Sequence, residues 1–118
     1  MDKEELKRQT NKFAHRCVKL ALSLPNTILG RHLQVQLIRA STSVASNYRA
    51  ACVAQSTASF TAKLSIVIEE ANESLFWLEF ILEENLIKKE LINSLIKEAG
   101  ESAAIFIASR KTIQKNNQ

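Results

Sequence analysis

Apolar residues recur every three to four positions along almost the whole chain, the period of an α-helix with one buried face. Leu6, Phe13, Cys17, Leu20 and Leu24 form the first such stripe and predict a helix over about residues 2–23. Leu24-Pro25-Asn26-Thr27 ends it, with Asn26 or Thr27 placed to cap the next. The second helix, over about 27–54, has core positions Leu33, Leu37, Ala40, Val44, Tyr48 and Ala51. Gly30 weakens its first turns. After Gln55-Ser56-Thr57, with Ser56 or Thr57 as cap, a third helix over about 57–84 carries Phe60, Leu64, Ile68, Ala71, Leu75, Leu78 and Leu82, a heptad-like seam. A fourth, over about 88–113, carries Leu91, Leu95, Ala99, Ser102, Phe106 and Ile113. Gly100 inside it marks a close helix approach or a local weakness, and Lys115 to Gln118 should fray.

Four long helices with short connections place chain neighbours antiparallel, which predicts an all-α, up-down-up-down four-helix bundle spanning residues 1–118 as one domain. Composition agrees: two Gly and one Pro are too few for an all-β fold or for the Gly-rich loops of a doubly wound α/β fold. A folded monomer of this length should expose roughly 6,400 Å². The longest apolar run, Ala103 to Ala108, is far short of the ~20 residues of a membrane span. The charged, helical first residues do not resemble a signal peptide, and two cysteines 35 positions apart make no disulfide framework. The expectation is a cytoplasmic protein without a membrane partner.

Charge is unevenly distributed. The net value is +4, yet no acid occurs from Leu6 to Ile68, a stretch holding Lys7, Arg8, Lys12, Arg16, Lys19, Arg31, Arg39, Arg49 and Lys63. Residues 69–101 hold nine Glu against Lys88, Lys89 and Lys97. A basic half attracts phosphate, and a basic and an acidic half also attract each other, within a chain or between copies.

Several constellations invite a functional reading. Apolar Ile66, Phe76, Trp77, Phe80 and Ile81 form a second face on the third helix, more than one seam buries, so Phe76, Trp77 and Phe80 are a candidate oligomer interface. Gln36, Arg39, Ser43 and Asn47 share one face of the second helix, beside Ser41, Thr42 and Ser46. Such residues are poor helix formers, so a buried polar network is expected, with Glu69, Glu70 and Glu73 across the hairpin as partners. No Glu-x-x-His occurs, so no metal is expected; Cys17 and Cys52 read as inert packed thiols. Arg8 and His15 match the spacing of the metal-independent HEPN ribonucleases, but Gln9 and the early position depart from that pattern. The basic residues Arg8, Lys12, Arg16 and Lys19, with Arg49, are candidates for contacting nucleic-acid phosphates; no interleaved aromatics suggest base stacking.

The run Gln36-Leu37-Ile38-Arg39-Ala40-Ser41-Thr42-Ser43-Val44-Ala45-Ser46-Asn47-Tyr48 resembles the Q-L-x-R-A-x-x-S-x-x-x-N-[IY] stretch of the bacterial four helix bundle protein family, which is associated with intervening sequences in the large-subunit ribosomal RNA gene. The likeness continues through Ser59-Phe60, Lys63-Leu64, Glu69-Glu70-Ala71, Glu73-Ser74, Trp77-Leu78, Glu98-Ala99 and Ala104-Ile105-Phe106. It implies a left-handed bundle, a homopentamer and no established enzymatic activity. The positions carried over are Arg39, Ser43, Asn47, Glu70 and Glu73. Where many members read Asn-Ile-Ala-Glu-Gly, this chain has Asn47-Tyr48-Arg49-Ala50-Ala51, so the acidic residue is absent, and Gly100 replaces a common Asn. A related pentameric family, the accessory variability determinants of diversity-generating retroelements, binds RNA and a reverse transcriptase through basic surfaces.

The expectation is therefore a non-enzymatic, self-assembling scaffold or adaptor with a basic surface for RNA or a ribonucleoprotein, and with no cofactor or small-molecule substrate. The alternative is a protein-binding ring without nucleic-acid affinity; a HEPN-like ribonuclease is the least favoured reading.

Overall fold

A computed structural model describes residues 2–116; Met1, Asn117 and Gln118, and with the last two part of the expected fraying, lie outside the described residues. Four helices follow one another: α1 (Lys3–Leu22), α2 (Ile28–Cys52), α3 (Thr57–Glu83) and α4 (Lys89–Asn116). Their starts are chemically specified. Asp2, Thr27 and Ser56 each accept a backbone N–H bond three residues on, from Glu5 (2.8 Å), Gly30 (3.0 Å) and Ser59 (3.0 Å). Gly30 does not delay α2. It sits in the first turn because a Cβ there would lie 1.9 Å from the Pro25 carbonyl oxygen. The end of α3 is equally definite. Asn85 adopts φ 57°, its N–H reaches the Leu82 carbonyl (3.0 Å), and Leu86 N–H reaches that of Ile81 (3.3 Å). This is a Schellman motif, with Leu86 packing back on the core cluster that contains Ile81.

Helices consecutive in the chain share the extensive seams, α1–α2, α2–α3 and α3–α4, whereas α1 meets α4 only sparsely. The diagonal pairs make no such contact among the described residues, so the four helices close into a bundle of 49 × 21 × 20 Å. The core divides in two. One cluster joins Cys17, Leu20, Leu33, Leu37, Leu78, Ile81, Ile92 and Leu95; the other joins Leu6, Val44, Tyr48, Leu64, Val67, Ala71 and Phe106. Burial of Cys17 pushes its thiol up to about 12, leaving it an unreactive packed group.

The stripes expected of the first two helices are the buried ones. In α3 the phase differs: Leu64, Val67, Ala71, Ser74, Leu78 and Ile81 are buried, while Phe60, Ile68, Leu75 and Leu82 are partly exposed. Ile81 thus belongs to the core and not to the second apolar face. In α4, Ile92 is buried and Leu91 is 65% exposed, because Ile92, Leu95 and Ala99 share the inward side. Gly100 has nothing within 4 Å of an added Cβ, so it marks no close approach. The helix also runs past Ile113 to Asn116.

The buried small polar residues are satisfied within their own helices. Thr10 Oγ1 donates to the Leu6 carbonyl (2.9 Å) and Ser74 Oγ to that of Glu70 (2.9 Å). Ser41 Oγ donates to the Ile38 carbonyl at 3.4 Å. The total surface is 7141 Å². That exceeds the roughly 6,400 Å² of an average monomer of this length, as suits a narrow rod that leaves apolar residues in solvent.

Candidate functional site

Arg39 extends from α2 to α3, where its guanidinium donates to both Glu73 and, at 3.1 Å, Glu70. Trp77 Nε1 donates to the same Glu73 carboxylate (3.3 Å). The Arg39 hydrogen bond is the main cause holding the Glu73 carboxyl below the usual range, and the Arg39 guanidinium is raised in turn. Ser43 and Asn47 stand apart from this cluster. Asn47 Nδ2 donates to Ser43 Oγ (2.9 Å) and to the Ser43 carbonyl (3.0 Å), closing a local pair one turn along α2. The expected single network is therefore two: a charged bridge between helices and an amide–hydroxyl pair within one. Gln36 makes no side-chain bond among the described residues, and Glu69 is exposed.

The bridge is half-exposed, so it fixes register more than it adds stability. Because the folded Glu73 carboxyl titrates below its unfolded range, its contribution is complete at neutral pH and is lost as pH falls through that range. Urea denaturation of the wild type and of Arg39→Gln should differ by a small amount at pH 7 and converge in acid. A constant difference across pH would separate Arg39 from Glu73.

Beside the bridge lies the aromatic face. Trp77 meets His32 edge-on at 5.6 Å and Phe76 at 4.9 Å, and Phe80 lies 5.9 Å from Phe76. Phe76 is 52% exposed and Trp77 and Phe80 partly so. Ile66, on the same helix, is also exposed, and Glu69, Glu79 and Glu83 give the outward side of α3 its acidity.

The basic residues divide differently from their sequence order. Arg16 turns toward α4, where it pairs with Glu98 (3.4 Å) and donates to Ser94 (2.8 Å). Lys12 and Lys19 are exposed on α1. Arg8 and Arg49 come together instead, lining a groove of about 720 Å³ between α1 and α2 with Lys7, Asn11, His15 and Ser46. The groove's Glu4 is paired with Lys7 at 3.1 Å. Charge counting along the sequence did not reveal Asn11 and Ser46, because they carry none; helical phase relative to Arg8 and Arg49 is the signal that finds them. Among the described residues no three His, Cys, Asp or Glu gather as metal ligands, and no helix is long and apolar enough to cross a membrane.

Comparison with known proteins agrees with the bundle. The profile of the 23S rRNA-intervening sequence protein family matches residues 3–108. A solved structure from Bacteroides thetaiotaomicron, described as a protein of unknown function from the S23 ribosomal protein family, superposes with a TM-score of 0.83 at 34% identity, over 90% of this chain and 98% of that one. No curated protein matches. With nearly all of its helical bundle matched in sequence and in shape, the chain belongs to the 23S rRNA-intervening sequence protein family.

Proposed function

We propose that this protein is a non-enzymatic scaffold, a homopentamer of single-domain up-down-up-down bundles, whose basic side faces RNA or a ribonucleoprotein in the cytoplasm. The alternating direction is supported by the two core clusters. One collects the beginning of α1, the end of α2, the beginning of α3 and the end of α4, and the other collects the opposite ends. Assembly is supported by the exposed aromatic face at Phe76, Trp77 and Phe80, since apolar area of this kind is a common mark of subunit contact. The family's name, which refers to an insertion in ribosomal RNA, favours RNA as the partner. Two free cysteines suit a reducing compartment. The α1–α2 groove also brings together Arg8 and His15, the pair whose spacing matches the HEPN ribonucleases, so RNA cleavage that is lost in a His15→Ala variant would replace the binding role with that reading.

The observation that matters most is the separation of charge: Arg8, Lys12, Lys19 and Arg49 form no ion pair among the described residues, while Arg16 and Arg39 are paired with acids of α4 and α3. The test is binding of a labelled structured RNA to protein freed of nucleic acid, with the native mass measured in parallel. A ring that binds at about 50 mM salt and loses several orders of magnitude by about 200 mM fits many phosphate contacts. A ring with no RNA affinity at low salt identifies the basic side as an assembly surface instead, and a monomer removes the scaffold.

A further inference from the structure

We propose that the α1–α2 groove is the seat of a single RNA strand, held by its phosphodiester backbone between Arg8 and Arg49. The inference rests on the RNA-facing reading above and narrows it to one surface. It also removes Arg16, Lys12 and Lys19 from the contact, although all three belong to the same basic stretch of sequence.

Three observations point to the groove. First, its two arginines come from different helices, so the two guanidinium groups flank a concave path, and neither has an acidic partner among the described residues. A guanidinium left without a carboxylate retains its full set of forked donors for phosphate oxygens. Second, the groove is lined by small side chains, Ala14, Ala45 and Ser46, which let a backbone approach closely, with Asn11 able to donate and accept. It follows α1 from Glu4 to Val18, about 21 Å at 1.5 Å per residue, a path for a strand and not a pocket for one small ion. Third, no Phe, Tyr or Trp lines it and its one ring is the small His15 imidazole, so no run of bases finds a stacking platform there and recognition rests on the backbone. The charge balance agrees: Arg8 and Arg49 are uncompensated, and Glu4 is neutralised by Lys7.

The test uses two double variants that remove the same charge from the same side of the protein. Arg8→Gln with Arg49→Gln empties the groove of its guanidinium groups; Lys12→Gln with Lys19→Gln changes α1 outside it. The probe is a labelled oligouridylate, titrated at several salt concentrations. The groove double should weaken binding roughly tenfold or more, as loss of charge-assisted hydrogen bonds does. Its log–log salt slope should fall by about 1.4, for two phosphates on a single strand. The Lys12/Lys19 double should stay within about threefold of wild type, since neither side chain lines the groove and neither makes a direct phosphate contact there. Equal losses in the two doubles would overturn the groove while leaving the RNA-facing reading intact. No binding of the oligouridylate by the wild type at low salt would overturn the groove, and no binding of the structured RNA either would overturn both. If the groove double unfolds, Ser46→Glu supplies the check, placing an anion in the groove without touching either arginine. It should reduce binding by a similar factor, and unchanged binding would overturn the proposal.

Discussion

Replacing Phe106 by Ala should destabilise the protein by about 3 kcal/mol, near the lower end of the range for a buried phenylalanine. The ring is fully buried, 5.3 Å from Tyr48 between centroids, and it packs with Leu6, Val44, Leu64, Val67 and Ala71. A single α4 side chain therefore ties together residues from all three other helices. This matters because α1 and α4 share so little seam elsewhere. The cost should not reach the top of the range, because the ring also borders an open groove of about 1100 Å³ formed with Tyr48, Cys52, Phe60 and Ile105. The space left by truncation would join that groove and admit water, so the penalty for an enclosed void falls away and the lost apolar transfer remains. Urea denaturation is the measurement, with Phe106→Leu expected to lose about 1 kcal/mol by keeping most of the volume. A loss below about 1 kcal/mol for the alanine variant would show that this cluster does not hold α4 in place.

One substitution, glycine to alanine, should have opposite signs at the chain's two glycines. At Gly30 it should cost about 1–3 kcal/mol, the usual penalty of overpacking. The atom in the way is a backbone carbonyl oxygen, that of Pro25, which cannot swing aside like a side chain. That carbonyl also accepts the Thr27 N–H at 2.9 Å, and Thr27 Oγ1 caps Gly30 N–H, so moving it disturbs the turn and the cap together. At Gly100 the added methyl meets open space inside a helix, and the change should gain about 0.5–1 kcal/mol through lower backbone entropy in the unfolded chain. Thermal melts of both variants decide it. A neutral Gly30→Ala would mean that the α1–α2 turn relaxes without cost.

These two glycines illustrate what was legible in the amino-acid pattern. Both stood out as helix-weakening residues, but only three-dimensional proximity separates a necessary glycine from a merely tolerated one. The inward faces of α1 and α2 were readable because each has one apolar stripe bordered by charge. In α3 two adjacent rows are apolar, so spacing alone does not choose between Ile68 and Val67, or between Leu82 and Ile81. Ser74, polar and absent from the expected apolar seam, is buried because its hydroxyl donates back to the Glu70 carbonyl. Complementary charge made the Arg39 contacts with Glu70 and Glu73 readable. Nothing comparable announced that Asn47 would satisfy itself on Ser43. Arg8 and Arg16 look alike in a linear charge count. Eight residues of helix rotate one about 80° from the other, enough to send Arg16 to Glu98 and leave Arg8 in the groove.

The thin junction between α1 and α4 has a consequence for how the chain reaches this structure. Every extensive seam joins a helix to the one synthesised just before it, so nearly all native interactions link helices adjacent in the chain. The entropy lost on loop closure stays small at each step, and topologies of such low contact order fold rapidly. A nascent polypeptide emerging from the ribosome is thus able to lay down each helix upon its predecessor, α1 with α2, then α3, with the last helix completing the molecule without having to find a distant partner first.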